Sequence, residues 1–518
     1  MSTTDFMNIP ELLRMLASLA PDKFFLLSEA DGRKFTYAEF EAAVRRAAAL
    51  LLARGIRKGD AVGLLLPNSA EYVVAYFACW QIGAVAGPVN SLLKAQEMAY
   101  VISNSEAKAL LVNSEYMQLV DSIRTELTTL TAVLPFDDEA QATADFRDAA
   151  SPASSDGRPG PTSEIEPDDE AIIIYTSGTT GKPKGCLLTH GNVIANARQI
   201  TNWLGFTDKD RLLTIMPLFH MNAVSVTTMA ALYAGASTVV SPKFSASRFW
   251  QIISDYQITS FGSVATMLSM LLSTYPEGVP DGLKTEQLRF AMCGSAPVPA
   301  EVLKRFEKTF NCLVIEGYGL SESTCRSTFN PPDKRRRAGS CGMPIGNEMR
   351  VVDEEDREVV DGSLGEIVLR GENILKGYYK NPVATSQAFR NGWFHTGDIG
   401  YRDADGFYYI VDRKSDMIIR GGENIYPREI DEVLYQHPAI AAAATIGVPD
   451  ELYGEEVAAF VVLKKDSSVT DKEITDFCCA RLADYKCPKT VYLVDEIPKG
   501  PTGKLLKREL ATQFKAAQ

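Results

Sequence analysis

The sequence predicts an α/β protein with a large N-terminal body of sheets covered by helices and a small α+β C-terminal domain. Three observations carry that expectation. Helical and strand-like runs alternate from the start of the chain. The short apolar runs AVGLLLP (61–67) and AKALLV (107–112) are of the continuous, fully buried strand type. The texture of the chain changes after about Val411. Such alternation argues for parallel sheets packed against helices.

Each element follows in order. Residues 37–54 have helical apolar spacing and stop at Gly55, and a further helix restarts at Asn68. The most apolar stretch, 72–89, is interrupted by Gln81, Gly83, Gly87 and Pro88. It reads as a buried helix leading into a buried strand, not as a membrane span. Residues 143–168 are rich in Ser, Pro, Asp and Gly and read as an exposed connection. The segment DRKSDMIIRGGENIYP (412–427) is polar, charged and glycine-containing. After it come a helix (428–435), two strands (441–446 and 456–463), a helix (471–482) and a strand (490–494). That is enough for a separate unit of about 100 residues. The boundary is expected near 412–416, dividing the chain into a body (1–412) and a lid (413–518). A large body with a small lid is the plan of a cleft enzyme whose lid moves.

The bulk numbers exclude more than they assign. With 66 acidic and 53 basic residues among 518, the formal charge is −13. Such a chain has no electrostatic reason to bind nucleic acid or an anionic membrane. Anionic small molecules would need local clusters of Lys, Arg and Gly. Nine cysteines lie scattered without a CxxC pair, and the adjacent Cys478 and Cys479 suit neither zinc nor an ordinary disulfide. A reducing compartment is expected. The N-terminus lacks a basic segment followed by an apolar core, and the C-terminal KAAQ is no peroxisomal address, so the cytosol is the expected location. Oligomeric state is not readable.

The strongest local signal is Tyr175-Thr-Ser-Gly-Thr-Thr-Gly-Lys-Pro-Lys-Gly185, directly after the strand-like AIII (171–174). Glycines and small hydroxyl residues let backbone N–H groups wrap phosphate oxygens, and lysines add positive charge. It is not a Walker loop: only two residues separate Gly178 from Gly181-Lys182, and Pro183 stands where Ser or Thr would bind magnesium. Gly317-Tyr-Gly319 lacks the third glycine of a dinucleotide fingerprint. A P-loop kinase or ATPase is thereby disfavoured.

This segment resembles the phosphate loop of the adenylate-forming superfamily of acyl-CoA synthetases, amino-acid adenylating domains and luciferases. Four further segments follow in that family's order. Gly294-Ser-Ala-Pro297 resembles its adenine-binding turn, and Gly317-Tyr-Gly-Leu-Ser-Glu322 its YGxTE motif. Gly392-Trp-Phe-His-Thr-Gly-Asp398 resembles its ribose-binding segment. Pro498-Lys-Gly-Pro-Thr-Gly-Lys504 resembles the terminal segment with its catalytic lysine. The resemblance spans nearly the whole chain. It implies an AMP-forming acid–CoA ligase using ATP, Mg2+ and coenzyme A, with a small-molecule carboxylic acid as the other substrate.

The resemblance also implies residue roles that make physical sense. A carboxylate attacking the α-phosphate is an anion approaching an anion, so charge must be neutralised where the bond forms. Lys504 is expected there, with Glu322 as the metal ligand, since a hard cation on phosphates takes carboxylate oxygen. Thr176, Ser177, Gly178, Thr179, Thr180, Lys184 and Ser321 are expected on phosphate. Gly294, Ser295, Ala296, Gly317, Tyr318 and Gly319 are expected around adenine, with Tyr318 stacking on it. Asp398 and Arg413 are expected on the ribose, where one carboxylate accepts from both hydroxyls. His220, in MPLFHMN, resembles a gate between the acyl pocket and the pyrophosphate side. Gly421 and Gly422 would let the backbone pass close to the pantetheine arm, with an ordinary turn as the competing explanation. The usual hinge Asp or Lys is replaced by Ser415.

The acyl pocket is expected to be lined by residues 220–224, 261–266, 294–296, 317–319 and 323–328. Their mix of small and apolar groups suits a fatty or other hydrophobic acid. The stretch containing Asp333-Lys-Arg-Arg336 modestly resembles the carnitine/crotonobetaine-CoA ligase branch, and reads either as a solvated basic turn or as a holder of CoA phosphates. A stand-alone enzyme loading a carrier-protein thiol is the alternative to CoA. A degenerate, non-catalytic nucleotide binder is disfavoured because Lys504, Glu322 and Asp398 are all present.

Overall fold

The computed structural model describes residues 8–145, 165–176, 182–294, 300–465, 467–498 and 505–517. Two seven-stranded sheets form the body. One runs Leu313–Glu316, Phe290–Cys293, Ser260–Ser263, Arg211–Thr214, Ser237–Val240, Phe24–Ser28 and Lys34–Thr36, parallel except for the last strand. The other runs Gly377–Tyr378, Lys184–Thr189, Glu170–Thr176, Val85–Pro88, Ala61–Leu65, Ala109–Val112 and Ala132–Pro135. Its last five strands are parallel, and Lys184–Thr189 returns antiparallel.

The apolar stretch at 72–89 explains why the two sheets share one core. The helix Ala70–Gln81 is buried at all of its 12 residues, as an all-round apolar helix must be. The Trp80 indole N–H donates to the Ala171 carbonyl of the second sheet at 2.9 Å. The Tyr76 hydroxyl donates to Leu218 O at 2.8 Å, beyond the end of the first sheet's strand Arg211–Thr214. Phe77 packs edge-on against Phe25 of the first sheet. The preceding helix, Tyr37–Ala53, begins at a capping box: Thr36 Oγ1 accepts from Glu39 N, and Glu39 Oε2 accepts from Thr36 N.

A third, antiparallel sheet of five strands joins Glu348–Val352, Gly365–Arg370 and Trp393–Arg402, with Phe389–Arg390 and Tyr408–Arg413 both paired to Trp393–Arg402. The sequence reading did not resolve this sheet, because WFHTGDIGYR lacks a clean two-residue alternation. Residues 414–417 then lead to a last sheet with its own core of Ile418, Ile430, Leu434, Val457, Val461 and Ile474. Its long hairpin, Ile440–Asp450 with Gly454–Leu463, runs four residues beyond the expected 446. Gly447 and Pro449 obscured that extension, yet Pro449 pairs with Glu455. Most of the expected connection at 143–168 lies outside the described residues. Among the described residues no helix is long and apolar enough to cross a membrane, and all nine cysteines are free.

Candidate active site

Thr176 and Lys184 face each other as the last register pair of an antiparallel ladder, so they close the base of the 177–183 loop. Ser177, Gly178, Thr179 and Thr180 lie outside the described residues. Lys184 Nζ sits 5.3 Å from the centre of the Tyr378 ring. The Tyr378 hydroxyl donates to Glu322 Oε1 at 3.1 Å. Glu322 belongs to the 3-10 turn Ser321–Ser323, and its carbonyl accepts from Leu375 N at 2.8 Å. Burial, then the Glu322 charge, push the Tyr378 phenol and the neighbouring Cys186 thiol up, so both stay protonated. The result is one half-buried cation and one carboxylate on either side of a neutral phenol.

The second cluster lies where Asp398 and Arg413 pair across the third sheet. Asp398 is 2% exposed, and its Oδ1 accepts from Arg413 Nε at 2.6 Å. Its Oδ2 accepts from the Tyr318 hydroxyl, and its backbone N–H donates to Thr396 Oγ1 at 3.0 Å. Burial, reinforced by Asp398, raises the Tyr318 phenol well above its ordinary range. Burial opposes the Arg413 charge, but Asp398, Tyr318 and Glu322 together hold it up. Arg413 therefore lies in the field of both clusters. Tyr318, Glu322, Asp398, Arg413, Thr176 and Lys184 are thus brought to one region.

The region around Gly294, Gly317 and His220 is built differently. Gly294 and Gly317 follow the C-terminal ends of two adjacent parallel strands, the usual place for ligands in such sheets, and Gly317 N donates to Cys293 O at 2.9 Å. A Cβ on Gly319 would stand 2.0 Å from the Cys325 carbonyl oxygen, so only glycine fits there. A Cβ on Gly294 would meet the Arg326 guanidinium at 2.6 Å. His220 is driven down to about 4 by burial and is neutral near pH 7. Its Nε2 has no hydrogen-bond partner among the described residues. The backbone then enters a π-helix, Asn222–Met229, a rare geometry that recurs at functional sites. Sequence reasoning missed it, since no residue pattern distinguishes it from an α-helix.

Gly421 and Gly422 form the tight turn between strands Ile418–Arg420 and Glu423–Ile425, with φ of 60° and 92°. A tight turn with both central residues at positive φ itself calls for glycine. Arg335 pairs with Asp333, Arg336 with Glu307, and Arg337 with Asp403 and Asp405. The arginines of the basic run are thus engaged by the protein's own carboxylates. Ser295, Ala296 and Lys504 lie outside the described residues.

Among the described residues no group of three or more His, Cys, Asp or Glu side chains could hold a metal ion. The single carboxylate of Glu322 fits a Mg2+ that brings phosphate and water as its remaining ligands.

Residues 14–379 match the family described as AMP-binding enzyme, and residues 429–504 match the AMP-binding enzyme C-terminal domain. The chain is 36% identical over 507 residues to a sulfoacetate–CoA ligase of Cupriavidus necator, covering 98% of this chain and 97% of the relative. It is 36% identical over 513 residues to the long-chain-fatty-acid–CoA ligase FadD13 of Mycobacterium tuberculosis, covering 98% and 99%. The crystal structure of ATP-bound MatB from Rhodopseudomonas palustris superposes with a TM-score of 0.89 at 31% identity, covering 99% of this chain and 100% of that one. The chain belongs to the AMP-binding enzyme family, in its acyl-CoA ligase branch.

Proposed function

We propose that this protein joins a carboxylic acid to coenzyme A in two steps. The acid attacks the α-phosphate of ATP to give an acyl-adenylate and pyrophosphate. The CoA thiol then displaces AMP to form the thioester. The observation that carries this reading is the convergence of Lys184, Tyr378 and Glu322 with Arg413, Asp398 and Tyr318. That arrangement suits a nucleotide lying from triphosphate to ribose. Asp398 accepts the ribose hydroxyls, Tyr318 packs on adenine, and Thr176, Lys184 and the 177–180 loop hold phosphate. Glu322 holds Mg2+, which supplies charge neutralisation on the phosphates. Lys504 acts at the α-phosphate from a C-terminal domain (413–518) that turns on the body (1–412), and Gly421 and Gly422 pass beside the pantetheine arm.

The two relatives differ in their acids. A long aliphatic tail agrees with the apolar pocket walls expected from sequence. The buried polar groups around His220 favour instead a short acid with a second polar end. Product analysis tests the reaction. Purified protein with ATP, CoA and a panel of acids should release AMP and pyrophosphate and form acyl-CoA. Lys504→Ala should lose adenylation yet still convert a preformed acyl-adenylate. ADP as product, or normal adenylation by that variant, would refute the reading. Adenylate that never reaches CoA would move the acceptor to a carrier-protein thiol.

A further inference from the structure

A buried arginine stands without a counter-charge on the acyl side. Arg326 is 2% exposed, one of the largest fully buried side chains in the molecule. Its Nε and Nη2 have no hydrogen-bond partner, and no ion pair reaches it among the described residues. The nearest compensation is the Phe329 ring, 5.4 Å from the guanidinium carbon, a weak attraction beside the cost of burying an unpaired cation.

The side chain is held there deliberately. Asn196 clamps the Arg326 backbone on both sides, its Oδ1 accepting from Arg326 N at 3.2 Å and its Nδ2 donating to Arg326 O at 2.6 Å. Asn373 donates to the same carbonyl at 3.3 Å and to Ser323 O at 3.1 Å. Two residues before Arg326, Thr324 is forced to φ 65°, a left-handed conformation that a β-branched residue adopts only under constraint. Gly294, with no side chain, leaves the space that the guanidinium fills.

A second unsatisfied side chain lies toward the same end of the sheet. Both amide atoms of Asn222 lack partners among the described residues, and its Oδ1 sits 3.1 Å from where a Cβ of Gly262 would be. Gly262 pairs with Met292, two residues before Gly294. His220 Nε2 and the Ser327 hydroxyl are likewise unpartnered. An apolar tail beside Gly294 and Gly262 would leave Arg326 and Asn222 desolvated and unpaired. A second oxyanion would satisfy the guanidinium through charge-assisted, two-pronged hydrogen bonds.

We propose that Arg326 binds a second anionic group on the acid, so that the substrate is a short dianion carrying a carboxylate at the reacting end and a carboxylate or sulfonate at the other. This rests on the acid–CoA ligase reading and names its substrate class. The test uses the full-length protein with matched acids of equal chain length: butyrate against succinate, acetate against malonate and sulfoacetate, with octanoate and palmitate as long apolar acids. AMP release and acyl-CoA mass are measured for the wild type, Arg326→Met and Arg326→Lys. The expected result is a wild-type kcat/KM for the best dianion at least about a hundredfold above that for its monoanionic match. Arg326→Met should erase that preference by lowering dianion turnover, while monoanion turnover holds or rises. Arg326→Lys should restore part of it. The wild-type comparison stands even if the Met variant fails to fold. Preference for octanoate, palmitate or butyrate in the wild type overturns the proposal while leaving the ligase reading intact. An undiminished dianion preference in a folded Arg326→Met also overturns it. Absence of AMP release from every acid overturns the ligase reading, and the proposal with it.

Discussion

The two clusters that the proposed function assigns to the nucleotide side and the acyl side treat buried polarity in opposite ways. On the nucleotide side the two carboxylates and the arginine already have protein partners: Asp398 holds Arg413 and Tyr318, and Glu322 holds Tyr378. On the acyl side Arg326, Asn222 and His220 carry buried atoms without hydrogen-bond partners among the described residues. The first arrangement fixes geometry before any ligand arrives, as suits a component common to every turnover. The second leaves a debt that only a particular ligand settles, and that is how a site rejects the wrong molecule.

The largest effect that would break this contrast is expected at Asp398. Asp398→Asn leaves the Arg413 guanidinium without its counter-charge, and kcat/KM for ATP should fall about 10³-fold, the equivalent of about 4 kcal/mol. Initial rates against ATP measure this, and a fall below tenfold would mean the pair is not part of the nucleotide contact. His220 sharpens the contrast from the other side. Its pKa lies near 4 in the folded protein against an ordinary 6.5, so the unfolded chain binds more protons in that interval. Stability should therefore drop as pH falls from about 6.5 to 4, by up to about 3 kcal/mol from this group. Urea midpoints at pH 7 and pH 5 should converge for His220→Gln relative to the wild type. Equal pH slopes in both proteins would remove the buried neutral histidine from the account.

Two smaller effects separate the sides further. Gly294→Ala places a methyl within 2.7 Å of the Arg326 guanidinium nitrogens. Displacing them should cost about 1–3 kcal/mol and appear in KM for the acid, with KM for ATP unchanged. An increase confined to ATP would return Gly294 to the adenine contact expected from sequence. Tyr378→Phe deletes one hydrogen bond to Glu322, and a loss of about 1 kcal/mol should show as a several-fold rise in KM for ATP. No change in KM would make that phenol a packing residue only.

Legibility in the sequence followed the same division. The resemblance assigned Thr176, Lys184, Tyr318, Asp398 and Arg413 to one nucleotide site, because the motifs that carry it are short runs of particular residues, while the Thr176–Lys184 ladder and the Asp398–Arg413 ion pair were not read from sequence. The antiparallel sheet that holds Asp398 against Arg413 could not, because Trp393–Arg402 mixes Gly, Thr and Asp among its apolar positions. Arg326 lies within the 323–328 stretch expected to line the acyl pocket, but that stretch reads as small and apolar and its one arginine does not stand out. Its burial depends on Asn196 and Asn373, which lie 130 and 47 residues away in the chain. The π-helix after His220 also had no local code, since it arises from packing and not from residue preference.

The strand Tyr408–Arg413 ends in the pair with Asp398, and Lys414 is still pinned by its N–H to the Gly397 carbonyl at 2.8 Å and by its ammonium to Glu366 at 3.3 Å. Ser415, exposed and donating to its neighbour Asp416 at 3.0 Å, is the first residue past these anchors. In the proposed two-domain reading, a swivel begun there leaves the Asp398–Arg413 pair in place. It has to break the bond from Arg428 N–H to Asp412 Oδ2 at 2.8 Å and that from the Arg428 guanidinium to the Ile410 carbonyl, so these two bonds act as the latch of the conformation seen here.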